Sequence, residues 1–299
     1  MLNVHPGLPS FDYILPGSLA EASAFLAQHK DDARPFMGGT DIFVRMRDGF
    51  GDYRYLVDVK KLDGMDAIHF DPLEGLTLGA AVDMNRVISS DAIRDHYPLL
   101  VEAASKVASY QLRSRATIAG NICNGSPAGD TIGACLLLDA SLKVHGLQGF
   151  RIEPLDSFFL GPGQTKLGPG DILTAIKLQA PAEGMVGRYI KLGRNQASDL
   201  AIVGVTAVGY PDRDRPSGYR IRLALASVAP VPLLVDEVET YLSGEPVTEE
   251  RIAGAARIAQ EACSPISDVR AGARYREMMV RNLSQQALYS VWKSLEAAH

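Results

Sequence analysis

Cysteine is scarce: only Cys123, Cys135 and Cys263 occur in 299 residues, and no two of them stand in a C-x-x-C spacing. That pattern gives neither a disulfide framework nor a zinc or iron–sulfur ligand set, so the three are expected as reduced thiols, mostly buried. The six histidines are scattered, with no H-E-x-x-H or comparable pair on one helical face, and no metal site is expected. Positive charge is not in excess. At a net charge of −5 the chain has no general field to draw nucleic acid or an anionic membrane. No stretch of apolar residues is long enough to span a bilayer, and Met1 to Ser18 has neither a cationic start nor a continuous apolar run, so the chain is read as cytoplasmic. Also missing are a G-x-G-x-x-G after a strand, a G-x-x-x-x-G-K-[ST] and a G-x-S-x-G elbow. The acidic pairs Asp31-Asp32 and Glu249-Glu250 sit in loop or helix-start contexts and read as solvated surface. No acid–base or nucleophile constellation emerges, and no residue is assigned a catalytic role.

What is present is an ordinary globular balance, 46% hydrophobic against 22% charged, over a length that suits two domains. Ser18 to Gln28 has helical periodicity, while Tyr55 to Val59 and Leu76 to Val82 read as strands. Asp83 can cap a helix running to about His96, and Pro98 opens another to about Ala108. Beyond the Gly- and Asn-rich stretch Ala116 to Asp130 come an apolar segment, Thr131 to Ala140, and a strand, Leu142 to His145. A Gly- and Pro-rich turn at Gly161 to Gly170 precedes the strand Ile172 to Leu178. Next, Ala201 to Tyr210 and Tyr219 to Val228 form a hairpin with a long loop, and the alternation in its second strand predicts one buried face and one partly wet face. Helices follow at about Val235 to Leu242, Thr248 to Ala262 and Arg274 to Ala298, the last with Met278, Leu283, Ala287 and Val291 near one stripe. The division expected is residues 1–177, mixed α/β, and residues 178–299, an α+β unit with helices on one face of an antiparallel sheet.

Two segments carry candidate chemistry. Met37-Gly38-Gly39-Thr40-Asp41 can turn successive amide protons toward one point, a nest for phosphate oxygens, or can be a plain tight turn before the next element. Ala116 to Asp130 offers close backbone approach together with Thr, Asn, Ser and Asp groups suited to ribityl hydroxyls, phosphate or a ring edge. Its other reading is a long capped turn that satisfies its own backbone. A cofactor-like wall without a catalytic set fits a protein whose cofactor performs the reaction.

The same residues carry a resemblance. G-G-T-D at 38–41, T-I-A-G-N at 117–121 and N-x-S-P-x-x-D at 124–130, in this order, resemble the FAD subunits of the molybdenum hydroxylases, the relatives of xanthine dehydrogenase and carbon monoxide dehydrogenase. The likeness extends through Gly170 to Ile176, Lys191 to Leu200, Ser267-Asp268 and Tyr275-Arg276. It implies an α+β chain: a vanillyl-alcohol-oxidase-type (PCMH-type) FAD-binding domain of two α/β subdomains, then a C-terminal antiparallel sheet with helices. It also implies FAD contacts at Met37, Gly38, Gly39, Thr40, Asp41, Thr117, Ile118, Ala119, Gly120, Asn121, Asn124 and Asp130. Leu173 and Lys191 match positions along the adenine and flavin pocket, and Leu200 a position against the isoalloxazine face. Ala119 replaces the family's usual glycine, which requires a negative φ there. The family's carbon monoxide dehydrogenases carry G-G-H-S in place of G-G-T-D and an aromatic at the position of Leu200, so carbon monoxide is not the expected substrate. The partners implied are a [2Fe–2S] small subunit, a molybdopterin large subunit, and NAD⁺ or another acceptor. A self-contained FAD-dependent oxidoreductase of the same fold and a flavin-free assembly subunit are the competing readings.

Overall fold

A computed structural model of the chain describes residues 7–195 and 199–298. Near the N-terminus, β1 (Asp12–Ile14), α1 (Leu19–His29), β2 (Ala33–Phe36), α2 (Ile42–Arg47) and β3 (Tyr55–Asp58) build a small parallel sheet in the order β1-β3-β2. The Ser18 hydroxyl starts α1 by accepting the Glu21 amide. A turn leaves the carboxyl end of β2, the place where open α/β sheets hold ligands, and leads into α2.

The second unit runs through β4 (Ile68–Asp71), β5 (Gly75–Gly79), α3 (Met84–Ser89), α4 (Asp91–His96), α5 (Pro98–Ser105), α6 (Tyr110–Arg113), α7 (Ile118–Asn124) and α8 (Ile132–Leu137). It continues with the strands β6 (Ser141–Gly146), β7 (Gly149–Pro154), β8 (Phe159–Gly161), β9 (Gln164–Thr165) and β10 (Ile172–Leu178). Its antiparallel sheet has the order β4-β5-β10-β6-β7. The helix expected from Asp83 to His96 is two helices. Asp83 does cap the first, accepting the Arg86 amide at 3.1 Å, but Ser90 is extended at φ −69° and ψ 121° and breaks the run. Ala116 to Asp130 is likewise not a continuous loop, since it contains α7. Thr117 Oγ1 accepts the Gly120 amide at 2.8 Å, and Gly125, at φ +62°, closes the other end. Gly120 and the two asparagines of α7 have poor helix propensity; burial of Ile118, Ala119 and Ile122 overrides it.

The third unit has β11 (Val186–Leu192), β12 (Val203–Pro211), β13 (Tyr219–Ala226) and β14 (Leu233–Leu234) in sequential antiparallel order, then α9 (Asp236–Ser243), α10 (Glu249–Ala262) and α11 (Ala273–Ala297). β1, β2, β4, β7, β8, β9, β11 and β14 are strands that the sequence pattern did not reveal. The face of the sheet expected to be partly wet stays so at Arg220 and is covered further along. Val205, Ile221, Leu223 and Leu225 join the core beneath α9–α11, while Tyr189, Val208 and Ala224 join the core of the preceding unit, where α8 packs on β12 and β13. Small residues permit that approach: a methyl on Gly133 of α8 would lie 2.4 Å from Thr206 Oγ1.

On α11, Ala287 and Val291 face the core as expected, but Met278 is 40% exposed. The buried stripe begins instead at Arg276, 1% exposed, whose guanidinium donates to the carbonyl oxygens of Ile202 (2.8 Å) and Ser227 (3.0 Å) and to Asp268 (2.7 Å). Among the described residues no helix is long and apolar enough to cross a membrane. Replacing Arg276 with Met leaves two carbonyls without their donor inside the core, and is expected to lower unfolding stability by about 3 kcal/mol, read as a lower urea midpoint.

Candidate functional site

A cleft of about 370 Å³, within the usual size of small-molecule sites, opens between the first two units. Three segments wall it: the turn from β2 to α2, the first turns of α7, and the stretch from Thr165 to Leu173. Gly39 adopts φ +76°, the left-handed region, where a side chain would also strike the rings of Phe36 and Phe43. Gly38 lies against the backbone of Arg115, and a methyl on it would be 2.1 Å from the Arg115 carbonyl oxygen. Asn124 Nδ2 donates to Asp41 Oδ1 at 3.1 Å, so the two Gly-containing segments are tied to each other.

The chemistry of the cleft is set by what its first wall leaves open. Among the described residues, the backbone N–H groups of Met37, Gly38, Gly39, Thr40, Asp41 and Ile42 have no acceptor in the protein, and all six residues line the cleft. Consecutive open amides favour an anion. Lys30, Arg34 and Arg45 stand in the lining with Asp31, Asp41 and Asp171; Arg34 lies 3.7 Å from Asp31 and stacks over the Tyr53 ring at 4.7 Å. Partial desolvation pushes the Asp41 carboxyl above its ordinary range, against the pull of the Thr40 hydroxyl and Arg45. Desolvation also pushes the Cys123 thiol up to about 12. These groups fit a polar, diphosphate-bearing cofactor with hydroxyls along its chain: open donors for phosphate oxygens, and Asn and Thr side chains beside them.

The third wall is anchored by an ion pair. Arg151 grips Asp171 through two hydrogen bonds, 2.8 and 2.7 Å, and the Gly168 amide donates to the same carboxylate at 2.7 Å. Opposite, Gly170 lies against α1, its carbonyl accepting the Ser23 hydroxyl.

Of the residues singled out from the sequence, Met37, Gly38, Gly39, Thr40, Asp41, Thr117, Gly120, Asn121, Asn124 and Leu173 line this one cleft. Ile118 and Ala119 are buried behind it, 1% exposed each; Ala119 is helical with negative φ, so its methyl is accommodated. Asp130 and Lys191 do not line the cleft but pair with each other at 2.7 Å. Burial pushes Asp130 up while Lys191 and Tyr189 pull it down. Leu200 is 57% exposed and outside the lining; residues 196–198 of the motif before it lie outside the described residues. Lys30, Arg34, Arg45 and Tyr53 were not foreseen, because surface cations and a single tyrosine carry no spacing signature.

The family described as the FAD binding domain in molybdopterin dehydrogenase matches residues 9–181, and the CO dehydrogenase flavoprotein C-terminal domain matches residues 188–291. The chain is 33% identical over 286 residues to the carbon monoxide dehydrogenase medium chain of Hydrogenophaga pseudoflava, covering 95% of this chain and 98% of that one. It is 27% identical over 277 residues to the xanthine dehydrogenase FAD-binding subunit of Escherichia coli O157:H7, covering 92% and 94%. A solved structure of carbon monoxide dehydrogenase from Hydrogenophaga pseudoflava superposes with a TM-score of 0.91 at 32% identity, covering 96% of this chain and 99% of that one.

Two outcomes test the site as built. Gly38→Ala is expected to push the first wall off Arg115, lowering the thermal midpoint and raising hydrogen exchange at the amides of 115–121. For the third wall, burial pushes the Asp171 carboxyl up, but Arg151 and the Gly168 amide together outweigh it and hold the group below its ordinary value of 3.8. A depressed carboxyl stabilises the fold above its unfolded-state value and loses that contribution as pH falls through the folded-state value. The stability gap between the protein and Arg151→Met is therefore expected at neutral pH and should close below about pH 4, measured by urea unfolding across that range.

Proposed function

The chain belongs to the family of FAD-binding subunits of molybdopterin dehydrogenases, and from that premise we propose that it gathers electrons from the [2Fe–2S] clusters of a small partner subunit and hands them to NAD⁺ or another acceptor. In this reading a large molybdopterin subunit hydroxylates the organic substrate, the three form a heterotrimeric unit, and the complex works in the cytoplasm. Residues 1–177 act as the FAD-binding domain and residues 178–299 as the C-terminal domain. FAD, when bound in the cleft, would supply the redox chemistry.

The observation that carries the proposal is the run of open amides from Met37 to Ile42 in a cleft that also gathers Thr117, Gly120, Asn121 and Asn124. The open amides of 37–42 bind the diphosphate, helped by the charge of Lys30, Arg34 and Arg45. Asn121, Asn124 and Thr40 hydrogen-bond the ribityl chain. Leu173 supplies an apolar floor, and Ile118 and Ala119 hold α7 against the core so that its first turn keeps its place. Leu200, exposed, is free to meet the isoalloxazine face. None of these groups is asked to break a bond in the organic substrate. The name of the carbon monoxide relative therefore fixes no substrate for this chain, because the substrate would bind on another subunit.

Purified whole, the protein is expected to be yellow and to release FAD, not FMN, at about one per chain on denaturation. A colourless protein that cannot be reconstituted with FAD would overturn the proposal. Where NAD⁺ is the acceptor, anaerobic NADH should bleach the visible absorbance, since the transfer runs in both directions.

A further inference from the structure

In a planar trans peptide the C=O of one residue and the N–H of the next point in opposite directions, so whatever holds a carbonyl also aims the following amide. Four of the open amides of the first wall are aimed in this way. The Phe36 carbonyl accepts the Val59 N–H at 3.2 Å, the Gly39 carbonyl the Phe43 N–H at 3.3 Å and the Asp41 carbonyl the Arg45 N–H at 2.9 Å, which fixes the N–H groups of Met37, Thr40 and Ile42. The remaining carbonyl, that of Gly38, is held by a side chain: Arg115 Nε donates to it at 3.4 Å. Among the described residues the Arg115 side chain makes no other hydrogen bond. The peptide it holds is the freest of the turn. Turning it over changes ψ of Gly38 and φ of Gly39 together, and glycine takes either sign of φ at little cost; Gly39 stands at φ +76°. Arg115 is exposed and outside the lining of the cleft, with its own carbonyl packed where a methyl on Gly38 would lie. Burial, with the hydrogen bond to Asp58, pushes the Tyr13 hydroxyl up to about 12 and Arg115 pulls it the other way, so the guanidinium stands within electrostatic reach of that pair.

We propose that Arg115 is a positioning residue for the diphosphate of the flavin: by holding the Gly38 carbonyl outside the cleft, it keeps the Gly39 N–H turned into it. This rests on the FAD reading of the cleft. If the peptide turns over, the wall loses a donor and sets a carbonyl oxygen, with its partial negative charge, against the phosphate. With no Cβ on either side of the peptide the two orientations lie close in energy, and one hydrogen bond is enough to shift the population between them. The other three aimed amides need no such help, since backbone donors fixed in β3 and α2 or next to them hold their carbonyls. What Arg115 contributes is a donor at the Nε position; its charge is incidental to this role.

The test separates donor from charge in the full chain freed of flavin, with FAD itself as the probe. Arg115→Gln puts an uncharged amide donor at the same number of bonds from Cα as the arginine Nε. Arg115→Lys keeps the charge but has a methylene there, and Arg115→Met has neither donor nor charge. The position is exposed, so all three are expected to fold. By flavin fluorescence the methionine and lysine variants are expected to bind FAD about tenfold more weakly, and the glutamine variant to stay within about twofold of the unaltered protein. Unaltered affinity in Arg115→Met would overturn the proposal. So would a lysine variant that binds normally beside a glutamine variant as weak as the methionine one, which would make Arg115 a cation acting on the phosphate. The peptide can also be watched directly, because Gly38-Gly39 is the single pair of adjacent glycines in the sequence. A chain labelled with glycine carrying carbon-13 at the carbonyl and nitrogen-15 gives one carbonyl–amide correlation, that of this peptide. In flavin-free Arg115→Met that resonance is expected to split or to show millisecond relaxation dispersion, while it stays single and sharp in the unaltered protein and in Arg115→Gln. A single sharp resonance in Arg115→Met at the unaltered position would overturn the proposal. If the unaltered chain takes up no FAD, the reading of the cleft falls, while this resonance still decides whether Arg115 holds the peptide.

Discussion

Six successive backbone N–H groups, Met37 to Ile42, without an acceptor among the described residues constrain what is built around them. Buried and dry, each would cost on the order of 1–3 kcal/mol. The fold leaves them only partly covered, at the carboxyl end of a parallel strand, and brings a second polar segment to face them. Gly38 and Gly39 are needed for different reasons. One must let the turn touch the Arg115 backbone, and the other must reach a left-handed φ between two phenylalanine rings. A binding site of this kind is made chiefly of backbone, so its specificity depends on holding loops still. The buttresses recur accordingly: Asn124 to Asp41, Arg151 to Asp171, and Ser23 to the Gly170 carbonyl.

The C-terminal sheet extends that logic over a longer distance. With one face under α9–α11 and the other on α8, it belongs to two hydrophobic cores at once. Polar links cross the same seam. Arg222, on β13, donates to the Leu137 carbonyl and to Asp139 at the end of α8, and the Ser227 amide donates to the Pro127 carbonyl at 2.8 Å. Ser227 holds φ +67°, costly for a residue with a side chain, and its hydroxyl and carbonyl are also engaged, by Ala201 and Arg276. The segment 126–131 between α7 and α8 is thereby fixed by the C-terminal domain as much as by its own helices.

How much of this was legible depended on whether the signal was local. The Asp83 cap was, and the helix starts read at Ser18 and Thr248 fall on residues that cap their helices; Thr117, also a cap, was read as part of a loop because Gly120 and the asparagines of α7 mask a helix that burial of Ile118 and Ile122 stabilises. The two Gly-containing segments were legible as candidate walls, and the cleft joins them. The partnership of Asp130 with Lys191 was not, since a contact between residues 61 apart leaves no periodic trace. Nor was the double burial of the C-terminal sheet: Ala224 looks neutral in an alternation, and the close approach of Gly133 to Thr206 and Ala224 gives it a covering layer.

The side chains in the cleft also bear on what chemistry this chain can do itself. A nucleophile or general base would need a group poised to change its protonation near neutral pH. Cys123, the thiol of the lining, is held far into its protonated form by desolvation and is no thiolate. Asp171 is held ionised by Arg151 and is spent on anchoring a loop. Asp41 is raised by desolvation but is engaged with Asn124 and Thr40, in the position of a hydrogen-bonding partner. What the walls supply is orientation and open backbone donors, with the cations Lys30, Arg34 and Arg45 matched in number by Asp31, Asp41 and Asp171, which suits a chain that holds a redox cofactor in place and breaks no bond itself.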